Sequence, residues 1–136
     1  MEGVIIDTNV FVAAGFNARS ASERNLAAIR DRRLQLVWNE PTRREAEFVL
    51  RRIPVLGWDK FGDLFRPEGE FTGRVDLHDF VFIEDPDDRK FAALSAAAKV
   101  PLVTNDHHLL AHRNLTGFDV LTPRDFLARA GETPSS

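Results

Sequence analysis

Four short runs of this chain are apolar almost throughout, where a strand half-exposed to water would alternate: "GVII" (3–6), "LQLVW" (34–38), "PLVTN" (101–105) and "FDVLT" (118–122). A strand buried on both faces reads this way, and such strands belong to parallel sheets covered by helices on either side. Between the runs lie longer segments with helical spacing. Residues 20 to 32 predict a helix opened by Ser20 or Ser22, and "EPTRREAEFVLRRI" (40–53) predicts another, with Pro41 in its first turn and Ala46, Val49, Leu50 and Ile53 on one face. "DPDDRKFAALSAAAKV" (85–100), "DHHLLAHR" (106–113) and "PRDFLARA" (123–130) predict three more helices. The alternation predicts a doubly wound, Rossmann-like three-layer α/β/α fold around a central parallel sheet.

The middle of the chain is less regular. "GWDKFGDLF" (57–65) predicts a short helix, and "FVFI" (80–83) a further strand. The 136 residues suit one domain spanning 1–136, with 131–136 as a frayed tail. Hydrophobic residues at 43% and charged residues at 29% exclude a disordered chain. The absence of cysteine removes disulfides, thiolate zinc sites and cysteine nucleophiles at once. Met1 and Glu2 precede an apolar run too short for a signal-peptide core, and no stretch approaches a membrane span, so the chain reads as a soluble cytoplasmic protein.

In an open α/β sheet, ligands sit beyond the carboxyl ends of the strands, where strand order reverses. Asp7 ends the first strand and Asp106 ends the strand expected beside it. Each has an ordinary explanation as a helix cap. Two carboxylates converging on one crevice, however, repel unless a cation lies between them or one is protonated. "EDPDD" (84–88) crowds Glu84, Asp85, Asp87 and Asp88 together; Asp85 as N-cap and Pro86 at N1 account for part of this. Each further acid at a helix start gains only ~0.3–1 kcal/mol from the dipole, so a nearby divalent ion would offset the repulsion that remains. Glu45 borders the core face of its helix and can turn toward a cleft, whereas Glu47 points elsewhere. His108 and His112 stand at i, i+4, a zinc-clip spacing, but without a third ligand of suitable spacing they read as surface histidines.

The order "IIDTN", "RREAEFVLRR", "DPDDRKFAALSAAA", "LVTNDHHLL", "VLTPRDFL" resembles the PIN-domain family, in particular its toxin-like branch found in prokaryotic toxin–antitoxin modules. The resemblance runs from residue 3 to about 127. It implies a three-layer α/β/α fold and metal-dependent RNA cleavage by clustered acids. By position, it implies Asp7, Glu45, Asp88 and Asp106 as the catalytic, metal-holding acids, with Asp87 as a substitute for Asp88. Asn9 and Thr104 match the family's polar pocket residues. Family members often carry glycine before the fourth acid and a further aspartate two residues after it; here Asn105 and His108 stand there, which bears on any second metal.

Hard oxygen ligands in a cysteine-free chain suit magnesium or manganese, as one or two ions. The expected reaction is hydrolysis of an RNA phosphodiester to a 5′-phosphate and a 3′-hydroxyl. The net charge of −3 supplies no global field toward RNA, so Arg43, Arg44, Arg51 and Arg52, which flank Glu45, are the expected phosphate contacts. A toxin would pair with an antitoxin, and homodimers are common in the family. The alternative is a non-catalytic PIN-like interaction module whose acids only cap helices. A phosphoacceptor receiver domain would need an acidic pair at the end of strand one, where Asp7 is instead followed by Thr8 and Asn9.

Overall fold

The computed structural model describes residues 1–111 and 119–129. His112 and the tail 131–136 lie outside them, so the His108–His112 pairing and the frayed tail belong to the sequence reading alone.

Among the described residues the core is organised by four strands, β1 (Glu2–Ile6), β2 (Leu34–Leu36), β3 (Leu102–Val103) and β4 (Val120–Leu121), hydrogen-bonded in the order β2-β1-β3-β4. All neighbours are parallel, with Val4 opposite Leu36, Ile6 opposite Val103 and Val103 opposite Leu121. The chain moves to one side of β1 to form β2 and to the other to form β3, so the switch point lies between β1 and β3.

Alternate residues of each strand feed opposite layers. Val4, Ile6 and Val103 pack with Val10, Phe11, Leu26, Ile29, Leu50 and Phe126. These come from α1 (Thr8–Phe16), α2 (Ala21–Arg30), α3 (Glu40–Arg51) and α6 (Pro123–Arg129). Ile5, Leu102 and Val120 pack on the other face against Phe91, Ala92, Leu94 and Leu109 of α4 (Pro86–Ala98) and α5 (His107–Ala111). This is the expected three-layer arrangement, a parallel sheet flanked by helices.

Local chemistry sets the helix ends. Ser20 caps α2 by accepting from the Glu23 N–H, and Asn39 and Thr42 form a reciprocal capping box at α3. Asp85 caps α4 by accepting from the Asp87 N–H, and α4 ends on Lys99 in the left-handed conformation, φ 59°. The strands are shorter than their apolar runs. At the β2 edge, Trp38 leaves the ladder with β1 and instead bridges to Glu70. That bridge brings Gly69 against β2 so closely that a Cβ there would lie 2.0 Å from the Leu36 carbonyl oxygen.

Two expectations in the middle of the chain fail. Residues 57–65 hold one 3-10 turn, Gly62–Leu64, in place of a short helix. "FVFI" is not a strand: a 3-10 turn, His78–Phe80, leads into it, with Phe80 and Ile83 buried while Val81 and Phe82 face outward. Burial at i and i+3 is the signature of a turn of helix, which an uninterrupted apolar run conceals. The carbonyls a strand would have paired are taken by Arg89, whose guanidinium donates to Ile83 O at 2.7 Å and Val81 O at 3.2 Å. Among the described residues, no helix is long and apolar enough to cross a membrane.

Candidate functional site

β1 and β3 end side by side, and the residues that follow them fill the crevice between. Asp7 occupies the N-cap position of α1, yet its side chain makes no capping hydrogen bond. Its carboxylate instead accepts from the Thr104 hydroxyl at 2.7 Å and from Asn9 Nδ2 at 3.3 Å, and the residue is only 4% exposed. The capping explanation for Asp7 therefore does not hold. It holds in part for Asp106, which accepts from the His108 N–H at 2.8 Å while its own N–H donates to the Thr104 hydroxyl at 2.9 Å. Asn9 completes the frame, its Oδ1 accepting from the Asn105 N–H at 3.1 Å. The polar residues Asn9 and Thr104 thus tie the end of β1 to the end of β3.

Asp88, in the first turn of α4, reaches into the same crevice. Asp7, Asp88 and Asp106 each offer a carboxylate oxygen within 4.8 Å of the others. The electrostatics are those of three acids that form no ion pair with a basic side chain among the described residues. Burial pushes the Asp7 carboxyl up to about 6; the Thr104 hydroxyl opposes this, while the charges of Glu45 and Asp106 add to it. Burial also pushes the half-buried Asp88 carboxyl up to about 8, helped by a hydrogen bond with Asp106 and by the charges of Asp106, Asp7 and Asp85. Three convergent carboxylate oxygens form a donor set for a hard divalent cation, and such a cation would relieve the charge that drives both shifts. With no cysteine in the chain and His107 and His108 exposed, softer ligands do not compete.

Glu45 lies beside this trio and stands apart from it. Its Oε2 accepts from the Thr8 hydroxyl at 2.7 Å, and its Oε1 is paired with Lys90 Nζ at 3.1 Å. Asp87 is largely exposed, 3.8 Å from the same ammonium. Neither Glu45 nor Asp87 is among the three carboxylates that converge. Thr8 and Lys90 both escaped the sequence reading. Thr8 was hidden between two residues with evident roles, and Lys90 follows the acidic run at a spacing, i, i+3 from Asp87, that suggests only a surface pair.

The four arginines expected to contact phosphate are not alike. Arg43 pairs with Glu40 and Glu47, Arg44 with Glu40 and Arg51 with Glu47, all along α3. Arg52 instead lies over the exposed Phe48 ring, its guanidinium carbon 3.8 Å from the centroid. Asn105, just before Asp106, turns its amide toward the Ser22 hydroxyl at 3.4 Å.

Residues 3–108 match the family model described as "PIN domain". The crystal structure of PAE2754 from Pyrobaculum aerophilum is similar in fold, with a TM-score of 0.54 over 97% of this chain and 98% of that one, at 16% identity. None of the curated proteins compared with the chain matches it.

Proposed function

The chain belongs to the PIN domain family, whose members are generally nucleases, and from that premise we propose that it is a metal-dependent endoribonuclease. The observation that carries this reading is the meeting of Asp7, Asp88 and Asp106 within 4.8 Å at the switch point of a parallel sheet. A divalent ion held by these carboxylates, magnesium or manganese, supplies charge neutralisation for an in-line attack of water on a phosphodiester.

The remaining work falls to the chain's own residues. Thr104 and Asn9 hold the Asp7 carboxylate at a fixed orientation, and the rigid ends of β1 and β3 set its distance from Asp106. Thr8 fixes Glu45 next to the cluster, where the Glu45 charge adds to the pull on a cation. No side chain needs to act as nucleophile, and the products are a 5′-phosphate and a 3′-hydroxyl. Arg52, whose guanidinium is not engaged by an acid among the described residues, is the one of the four arginines that can meet substrate phosphate without giving up an ion pair. The resemblance to the toxin-like branch supports a role as the toxin of a toxin–antitoxin pair, with an antitoxin that covers the acids.

The test is cleavage of RNA by the purified chain with magnesium or manganese, compared with Asp7→Asn and Asp106→Asn. Loss of cleavage in both variants, with 5′-phosphate ends on the wild-type products, is the expected result. Equal cleavage by all three proteins overturns the assignment. Co-purification of a small protein from the native host, released together with a gain in cleavage, tests the antitoxin.

A further inference from the structure

A cation already sits beside Glu45, at the margin of the three converging acids: the ammonium of Lys90. It lies 3.1 Å from Glu45 Oε1 and 3.8 Å from Asp87 Oδ1, and both Lys90 and Glu45 are mostly shielded from water, their side chains 22% and 18% exposed. The other Glu45 oxygen accepts from Thr8 at 2.7 Å. Both oxygens thus have a partner, and a divalent ion approaching Glu45 would meet the positive charge of the Lys90 ammonium already paired with it. The other three acids converge on a single point. We infer that Lys90 stands in for a second metal ion, pairing with Glu45 so that the cluster takes one divalent cation and not two. This rests on the metal-centre reading above.

The physical reason is ligand supply. Two-metal sites hold their ions about 3.5–4 Å apart, so a second ion gains most where a further carboxylate beside the first three helps to offset the repulsion between the ions. Glu45 adjoins the cluster through Thr8, the residue after Asp7, and Lys90 occupies it. An ion reaching Glu45 would displace an ammonium whose other acidic partner among the described residues is Asp87, in the exposed first turn of α4. Lys90 is on this view a positioning residue: it sets metal stoichiometry by holding Glu45, and Thr8 locks the other oxygen.

The experiment is a manganese titration of the full chain, with bound ions counted by calorimetry and by electron paramagnetic resonance, which reports spin coupling between neighbouring ions. Wild type and Lys90→Arg bind one ion with an uncoupled signal. Lys90→Gln binds two with a coupled signal, and adding Glu45→Gln to that variant returns the count to one. Two ions in the wild type, or a single ion in folded Lys90→Gln, overturn the inference while leaving the metal centre standing. Absence of manganese binding by the wild type overturns the metal-centre reading itself. Because the wild-type count alone can refute the inference, it stays testable even if the lysine variants do not fold.

Discussion

The Thr104 hydroxyl donates to Asp7 Oδ2 at 2.7 Å and accepts from the Asp106 N–H at 2.9 Å, so one side chain joins two acids 99 positions apart in sequence. Thr104 is completely buried, which leaves no water to replace it. Thr104→Val keeps the shape and removes the donor. The Asp7 carboxyl, already pushed up to about 6 by burial, then rises further. Loss of a buried hydrogen bond to a charged group costs about 1–3 kcal/mol of stability, and the cost is larger at pH 8 than at pH 5, where Asp7 is protonated. A carboxyl NMR titration with urea unfolding at both pH values checks this. An unmoved Asp7 midpoint would mean that Thr104 does not orient the acid.

Asp7 and Asp88 both bind protons more tightly in the folded chain than in the unfolded one, their pKa values being raised from 3.8 to about 6 and about 8. Between roughly pH 4 and pH 8 the folded state therefore holds more protons, and stability falls as pH rises. The Asp7 contribution is about 2–3 kcal/mol across that window. In EDTA the protein is expected to melt higher at pH 5 than at pH 8. Saturating magnesium replaces the protons and narrows the gap. An equal or higher melting point at pH 8 in EDTA would contradict the uncompensated cluster.

The contrast between Arg43 and Arg52 separates structure from substrate contact. Arg43 bonds Glu40 and Glu47, so Arg43→Ala lowers stability by about 0.5–1 kcal/mol and leaves the salt dependence of RNA binding unchanged. Arg52, stacked on Phe48, contacts no acid among the described residues. Arg52→Ala is expected to reduce the salt slope of RNA binding by about one while changing stability little. Fluorescence anisotropy on a single-stranded RNA, in an Asp7→Asn background to prevent cutting, measures both slopes.

The two strand-end acids were legible because sheet geometry leaves them little freedom: a residue just past β1 and one just past β3 must meet if the strands are neighbours. Asp88 came from the resemblance to the PIN-domain family and not from sheet geometry; it reaches the crevice because the N-terminus of α4 opens toward the same end of the sheet. Glu45 shows where such reading stops. Its position at the edge of the α3 core face was correct, but its partner comes from α4, 45 residues away, and nothing local indicates that Lys90 rather than a metal meets it. "FVFI" fails for a different reason. Its apolar run is compatible with alternate burial and with i, i+3 burial, and the choice was made by Arg89, which takes the carbonyls that a neighbouring strand would have used. The same ambiguity did not harm β1, because Ile5 and Ile6 each had an apolar layer to enter.

Asp7→Asn sets two effects of opposite sign against each other. Removing a buried carboxylate that repels Asp106 and Glu45 relieves the metal-free fold, and the asparagine oxygen can still accept from Thr104. The variant is therefore expected to melt higher than wild type at pH 8 in EDTA. Catalysis goes the other way: loss of a groups that merely orient metal ligands already costs ~10–100-fold, so loss of the central ligand should lower cleavage by at least ~100-fold. The rise in melting point on adding manganese should shrink with it, because the cation has lost a ligand. Differential scanning calorimetry with and without manganese, beside an RNA cleavage assay, reads all three. A variant both less stable and inactive would point to a purely structural Asp7; one more stable, inactive and insensitive to metal identifies a ligand whose charge the fold tolerates for the sake of the cation.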